Sequence, residues 1–263
     1  MASGLKLYGR YTAVSWRGLM EHRASFIMDS AGALLYAGAK FGALWVLFNR
    51  FDNIRGWNLA EVGLLYGLVH MAFALAEAAS PGFRTLGDTV RAGDFDRLLL
   101  RPRSTTLQLT AAGLQPGIVG PFAQGAVVLV WAVGQLAPVW TLVQGLVLIA
   151  ALLGSACLFL GLYVAEAALV FWTNHSLEFM NSLTRGGVAT AQYPFTAFGK
   201  WLRRFFTLVV PLGCTVYYPV ALVLGKVQPQ PWLYFSPAVG PLFCWLCLRL
   251  WRVGLKRYQS AGS

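Results

Sequence analysis

Four ionisable residues lie inside long apolar stretches of this sequence: Lys40, His70, Glu77 and Glu166. An ionisable group in the middle of a membrane costs roughly 2.5–3.5 kcal/mol on insertion scales, so it usually faces a bundle interior or a water-filled cavity. His70 and Glu77 are seven residues apart and therefore share one face of a helix. These residues could be polar points on a path through a membrane. Alternatively, an internal pair such as Lys40 with Glu77 could fix the packing of two helices.

Motifs for other chemistry do not occur in the sequence. It has no G-x-x-x-x-G-K-[ST] phosphate-binding loop, no H-E-x-x-H and no G-x-S-x-G. The three histidines lack a His or Cys partner at metal-ligand spacing. Cys244 and Cys247 form a C-x-x-C without a second ligand pair, and we interpret them as small buried side chains. We therefore predict that the chain is not an enzyme and that its energy comes from an ion gradient or a separate protein.

The composition restricts the class of protein. Of 263 residues, 57% are hydrophobic and 12% are charged, whereas a soluble domain carries about 25% charged residues. Too little polar surface remains to cover a soluble globule, which excludes a water-soluble enzyme and a disordered chain. The formal net charge is +11, and the basic residues lie mainly between apolar blocks. This placement indicates membrane topology and anionic lipid rather than nucleic acid.

Six apolar blocks are long enough to cross a bilayer as helices. They are residues 24–48, 59–80, 107–133, 139–172, 205–225 and 235–252. The sequence thus predicts an all-α membrane protein with six transmembrane helices in a single domain, 1–263.

Two blocks carry features that should distort a helix. The block 139–172 is longer than the membrane core is thick, so we expect it to project beyond the membrane or to break near Gly154 or Gly161. Pro211 and Pro219 should bend the fifth block, because proline removes a backbone donor.

The positions of the basic residues predict an orientation. With the N-terminus in the cytosol, the inner segments hold 17 of the 21 Lys and Arg residues and the outer loops hold three, Arg50, Arg55 and Lys226. Both termini would then be cytosolic. Residues 1–23 lack the apolar core of a secretion signal, so we expect them to be retained, with 5–20 forming an amphipathic helix in the headgroup plane.

The predicted cytosolic loop after the second block has a pattern of its own. Gly93 separates the stretch 84–92 from DFDRLLL, and Asp94 could cap the turns that follow or pair with a nearby arginine. Leu98, Leu99 and Leu100 give the loop an apolar face. A short rigid helix with such a face suits a mechanical contact with another protein.

This loop carries a family resemblance. RAGDFDRLLLRP, residues 91–102, resembles the "R-x-G-x-[FL]-D-x-x-L-x-[RK]-P" signature of small six-helix permeases in the ABC-2-like superfamily. Residues 193–226, which include Tyr217-Tyr218-Pro219 and Gly225, resemble a second segment of that family. Trp57 and Glu61 at the start of the second block agree with it. The resemblance covers nearly the whole chain in order.

The resemblance implies a permease subunit of an ATP-binding cassette (ABC) exporter in a bacterial inner membrane. Two permease subunits, identical or paralogous, would pair, and each would rest on a cytosolic ATPase that holds ATP and Mg²⁺. Residues 84–103 would be the coupling helix that enters a cleft on this ATPase, and 5–20 would be the connecting helix. The implied ATPase-coupling residues are Arg91, Gly93, Asp94, Phe95, Asp96, Arg97, Leu98, Leu99, Leu100, Arg101 and Pro102.

Two other functions remain open at the level of sequence. The first is a gradient-driven secondary transporter that uses Glu77, Glu166 and Lys40. The second is a membrane-embedded enzyme, which would need clustered acids or histidines near one interface, whereas here they are scattered. The sequence does not define the cargo.

Overall fold

The computed structural model describes residues 23–51, 53–111, 118–136, 140–173 and 178–258. These residues form helices joined by short turns, and within them no strand occurs beyond an isolated bridge between Ile54 and Trp57. The prediction of an all-α fold is confirmed. The predicted interfacial helix 5–20 lies outside the described residues and stays a prediction.

Five long helices and a series of short ones make up the described chain. The long helices are α1 (Arg23–Arg50), α2 (Leu59–Ala79), α7 (Val119–Gln135), α8 (Leu142–Thr173) and α13 (Val239–Arg257). The short helices are α3 (Pro81–Arg84), α4 (Leu86–Arg91), α5 (Asp94–Leu99), α6 (Thr105–Thr110), α9 (Glu178–Ala191), α10 (Lys200–Arg204), α11 (Tyr218–Val223) and α12 (Pro231–Phe235).

Four helical stretches in the described part of the chain are long and apolar enough to cross a membrane. They are Ile27–Arg50, Leu59–Ala79, Leu142–Trp172 and Pro231–Arg257. A fifth span results if the bent pair Lys200–Val209 and Gly213–Val223 is counted as one crossing, and α7 is a shorter apolar helix of 17 residues. The chain is therefore a multi-pass membrane protein. Its described residues contain four or five such spans, and the predicted number of six is not confirmed.

The fifth predicted block is bent as expected. Its two halves meet at an angle of 86°, with Pro211 between them. Each half contains a turn of π-helix, Phe205–Val209 and Gly213–Tyr217. Proline lacks the N–H that would continue the helix, which accounts for the bend at Pro211. Pro219 causes no break: the π-helical turn Gly213–Tyr217 leads directly into α11, and the stretch Gly213–Val223 stays continuous through Pro219.

Helix α8 does not break. It runs for 32 residues, about 48 Å at 1.5 Å per residue, and so exceeds the membrane core, which bears out projection rather than a break. Gly154 and Gly161 are instead contact points for α13 and for the turn that leads into it. A Cβ atom built on Gly154 would lie 2.3 Å from the carbonyl oxygen of Pro237, and one on Gly161 would lie 3.0 Å from Cys244 Cα. Small residues let the two backbones touch, which is how helices associate within lipid.

Helices α2 and α7 pack in the same manner. A Cβ on Gly67 would lie 2.7 Å from the carbonyl oxygen of Gly125. At the preceding residue of each helix, the hydroxyl of Tyr66 and the side-chain amide of Gln124 hydrogen-bond in the buried interface, with Nε2 of Gln124 3.1 Å from the hydroxyl oxygen. Helix α1 contacts α7 near Gly120 but leaves most of its described side chains exposed. The core is therefore centred on α2 and α8, and α7, α13 and the bent stretch 205–223 pack around them.

Candidate functional site

The 84–103 segment is not one helix. Helices α3, α4 and α5 follow one another and are divided at Thr85 and at Ala92–Gly93. Gly93 has φ of +74°, a left-handed conformation that a residue with a Cβ rarely adopts, so the predicted division at Gly93 is confirmed. Asp94 does not cap α5, because Gly93 holds the N-cap position and no side chain bonds to it. Asp94 instead pairs with Arg97 at 3.4 Å, and Arg91 pairs with Asp88.

Phe95 fixes this segment to the ends of two long helices. Its side chain is completely buried, with its ring centroid 5.4 Å from that of Phe171 in α8 and 5.0 Å from that of Tyr258 after α13. Trp251 of α13 extends the cluster, at 5.1 Å from Phe171 and 5.2 Å from Phe83 of α3. Phe95, which the family signature groups with the coupling residues, thus faces the protein interior. Trp251 is likewise buried, with 1% of its surface exposed.

The opposite side of the segment is open. Leu99 is 40% exposed and Leu100 is 85% exposed. The remaining exposed residues of the predicted set are Arg91, Gly93, Asp94, Arg97, Arg101 and Pro102. A groove of about 530 Å³ lies among Thr89, Asp94, Arg97, Leu98 and Arg101.

Two of the predicted ATPase-coupling residues are only partly accessible to a partner protein. Asp96 is half-buried, and Leu98 is half-buried against the core. The side-chain amide of Gln108 in α6 donates to the carbonyl oxygens of Leu98 and Arg103, both at 3.1 Å. These bonds hold the end of the segment against the next helix.

A charged cluster joins α2, α3 and α8. Arg84 Nη1 lies 3.2 Å from Glu77 Oε1, and both side chains are mostly buried. The hydroxyl of Tyr163 in α8 donates to the same carboxylate oxygen at 3.4 Å, and the guanidinium lies 5.7 Å from the centre of the Tyr163 ring. Glu166, one turn further along α8, interacts electrostatically with Arg84. Arg84 therefore connects the 84–103 segment to two spanning helices.

Three of the four intramembrane ionisable residues line one cavity. Lys40, His70 and Glu77 surround a space of about 390 Å³ together with Arg185 and the apolar side chains of Phe73, Pro121 and Val188. Glu166 does not line it. The alternative of a Lys40–Glu77 pair is wrong: Glu77 pairs with Arg84, and Lys40 Nζ lies 4.5 Å from the centre of the Tyr36 ring.

His70 has a defined hydrogen bond within this cavity wall. Its Nδ1 lies 2.9 Å from the carbonyl oxygen of Tyr66, and its ring stacks on the Tyr66 ring at 4.0 Å. A carbonyl oxygen only accepts, so Nδ1 carries the hydrogen and Nε2 is the acceptor of the neutral ring.

A second ion pair lies at the other end of α2. Glu61 Oε2 accepts from the backbone N–H of Asn58 in a capping box, while Glu61 Oε1 lies 2.8 Å from Lys226 Nζ. Lys226 also donates to the carbonyl oxygen of Gly56 at 2.7 Å and lies 5.1 Å from the Trp57 ring centre. Trp57 and Glu61 thus meet the residue that follows Gly225, a contact that nothing in the sequence spacing indicated.

No metal site is evident. Within the residues that the structure describes, no group of three or more His, Cys, Asp or Glu side chains is placed to hold a metal ion. Cys244 and Cys247 are buried and unpaired with each other, as their apolar surroundings predicted.

Comparison with known proteins assigns the family. A family model described as "ABC-2 family transporter protein" matches residues 34–262, which include the 84–103 segment, the cavity and the Glu61–Lys226 pair. No curated protein and no solved structure matches the chain significantly. Because the match covers most of the chain, this membrane protein belongs to the ABC-2 family of transporter proteins.

Proposed function

We propose that this chain is the permease subunit of an ABC exporter in a bacterial cytoplasmic membrane. It acts with a second permease subunit, the same chain or a paralogue. Cytosolic ATPase subunits bind its 84–103 segment, and they, not this chain, hold ATP and Mg²⁺. Family membership supports the general class, since members of this family are membrane proteins of transport.

The two-sided character of the 84–103 segment carries the proposal. One side is fixed to the membrane helices through Phe95 and Arg84, and the other side presents Leu99 and Leu100 to the surroundings. An exposed leucine pair among arginines suits a partner with an apolar pocket and an acidic rim. A segment that is fixed on one side and bound on the other transmits displacement.

The contacts of the 84–103 segment determine which helices would move when the segment is displaced. Movement at α3 reaches α2 through the Arg84–Glu77 pair. Movement at α5 reaches α8 through Phe171 and the end of α13 through Tyr258. Closure of the ATPases on ATP would therefore shift three core helices together and change the path between two permease subunits.

The placement of the loops supports the cytosolic orientation of the segment. Phe95, Phe171 and Tyr258 lie in or next to three segments that charge assigns to the inside, and they are in contact. Lys226 and Gly56 lie in loops assigned to the outside, and they too are in contact. Both termini would then lie in the cytosol.

Charge reversal on the open side of the segment tests the proposal. The chain is purified with the P-loop ATPase that co-elutes with it, and ATPase activity is compared with and without the permease. We expect Arg97→Glu to reduce stimulation by about tenfold, because it reverses an exposed charge on the side of the segment that would bind the ATPase. Arg55→Glu, the same change in the opposite loop, should leave it unchanged. Equal stimulation by both variants would argue against the proposed contact.

A gradient-driven transporter is the competing function, because Lys40, His70 and Glu77 share a cavity. The Arg84–Glu77 pair argues against it, since it gives Glu77 a structural role: the 3.2 Å ion pair joins α3 to α2. Proton-coupled flux by the chain alone in vesicles would favour this alternative.

A further inference from the structure

We propose that the cavity between α1, α2, α7 and α9 binds the anionic headgroup of a membrane amphiphile, with hydroxyl groups beside the anionic group. As a statement about cargo, this rests on the proposed function. As a statement about binding, it stands on the cavity alone.

The charge of the cavity is the first reason. Glu77 is compensated by Arg84 at 3.2 Å, whereas Lys40 and Arg185 form no ion pair within the described part of the chain. Lys40 lies ten residues before the end of α1, about 15 Å along the axis, which is far for a lysine to reach the headgroup region. A cation at this depth requires compensation, and the Tyr36 ring supplies part of it through a cation–π contact. An anion between Lys40 and Arg185 would supply the remaining compensation for the Lys40 charge.

His70 adds a requirement for a hydrogen-bond donor on the ligand. His70 is buried, with 7% of its surface exposed, and it lines the cavity. Nδ1 is engaged by the Tyr66 carbonyl, and Nε2 has no hydrogen-bond partner among the described residues. In the neutral ring this nitrogen accepts, so it matches a hydroxyl group and not a second anionic oxygen. The ligand therefore carries a hydroxyl near its anionic group.

The size and position of the cavity indicate a headgroup with its tail in lipid. A volume of about 390 Å³ lies at the lower end of the range for small-molecule sites. Lys40 and Arg185 are exposed, so the cavity opens to its surroundings at these two residues. Beside this opening α1 presents Leu34, Leu35 and Tyr36, which are 47%, 74% and 66% exposed. An apolar tail would lie along this surface while the headgroup enters.

Retention of defined lipids by the purified chain tests the proposal. The chain in mixed micelles is offered phosphatidylglycerol, phosphatidylmethanol or phosphatidylcholine, and bound lipid is counted by native mass spectrometry. Phosphatidylglycerol carries hydroxyls, phosphatidylmethanol carries the same charge without them, and phosphatidylcholine carries no net charge. We expect one phosphatidylglycerol per chain to be retained at least tenfold better than phosphatidylcholine.

Variants assign the binding to the cavity. Lys40→Gln combined with Arg185→Gln should lower the retention of both anionic lipids about tenfold or more. His70→Phe should lower the retention of phosphatidylglycerol and leave that of phosphatidylmethanol unchanged, a difference that a merely structural role would not produce. Lys256→Gln with Arg257→Gln, which removes two cations at the end of α13, is the matched control. Size-exclusion profiles and melting temperatures verify that the variants are folded.

Three outcomes would overturn the proposal. Equal retention by the wild-type chain and the Lys40/Arg185 double variant would show that the cavity does not bind lipid. Equal loss in the Lys256/Arg257 control would assign the effect to general surface charge. Displacement of the lipid by inorganic phosphate at millimolar concentration would identify a free anion as the ligand. None of these measurements involves an ATPase, so they succeed or fail independently of the proposed coupling.

Discussion

The ring of Phe95 lies 5.0 Å from the ring of Tyr258, so the most polar loop of the described chain is fixed to the end of its last helix. Phe171 lies against both rings and brings the end of α8 into the same cluster. An external contact on this loop therefore acts directly on two spanning helices. The relationship does not follow from sequence order, because Phe95 and Tyr258 lie in two different predicted inner segments and Phe171 lies at the end of the apolar block 139–172.

Truncation of Phe95 should destabilise the protein and weaken the coupling between the ATPase and the membrane helices. Phe95→Ala leaves a cavity in a fully buried aromatic cluster, for which we expect a loss of about 3–5 kcal/mol in the free energy of unfolding. Leu100→Ala, at an 85% exposed position in the same segment, should change stability by less than about 0.5 kcal/mol. Denaturant unfolding in detergent measures both. Similar losses for the two variants would contradict the inward anchoring of Phe95.

Variants of Trp251 distinguish the contribution of packing from that of hydrogen bonding in the same aromatic cluster. Its indole Nε1 is buried and has no hydrogen-bond partner among the described residues, so the ring contributes by contact alone. We expect Trp251→Phe to cost less than about 1.5 kcal/mol, since it keeps an aromatic ring and removes an unpartnered N–H. Trp251→Ala should cost about 3–5 kcal/mol. Melting curves of the two variants give the comparison, and a large loss in Trp251→Phe would reveal a missing partner for the N–H.

The Arg84–Glu77 pair should show strong energetic coupling. A double-mutant cycle with Glu77→Gln and Arg84→Gln should give an interaction energy of about 1–3 kcal/mol, because each single change removes the ion-pair partner from a mostly buried charge. The exposed pair Arg91–Asp88 in the same segment provides the control and should give about 0.2–1 kcal/mol. Unfolding free energies at neutral pH measure both cycles. Equal coupling energies would mean that the first pair is as well hydrated as the second.

Glycines in α8 should respond oppositely to alanine. At Gly154 the new Cβ would lie 2.3 Å from a backbone oxygen, so Gly154→Ala should cost about 1–3 kcal/mol by forcing α8 away from Pro237. At Gly145 nothing lies within 4 Å, and Gly145→Ala should stabilise the helix by up to about 1 kcal/mol. The sign of the change in melting temperature distinguishes the two. A stabilising Gly154→Ala would place the neighbouring backbone further away than described.

Features that depend on residues close together in the sequence were predicted correctly. The bounds of α1 and α2 agree within two residues with the apolar blocks, because polar residues flank these runs on both sides. The division at Gly93 followed from its position between two helical patterns, and a residue without a Cβ suits the observed φ of +74°. The bend at Pro211 followed from the missing N–H.

The contacts between distant elements could not be predicted. The partner of Glu77 is Arg84, seven residues later and beyond the end of the helix, so the pair depends on the turn at Ser80 rather than on helical spacing. Gly154 was expected to weaken a helix, whereas its role is to admit another backbone, which only the packed structure reveals. Phe95 and Lys40 each lie in a motif or block whose pattern gives no direction for the side chain. These directions are set by tertiary packing.

Site-directed cross-linking between the 84–103 segment and the ATPase tests the central claim most directly. Leu100→Cys, at a position 85% exposed, is paired with single cysteines placed around the cleft of the co-purified ATPase, and Gln228→Cys in the opposite loop is the control. The account predicts a cross-linked species with Leu100→Cys whose yield changes when ATP is added, and none with Gln228→Cys. Cross-linking at Gln228 but not at Leu100 would contradict it, because the ATPase would then bind the other end of the molecule.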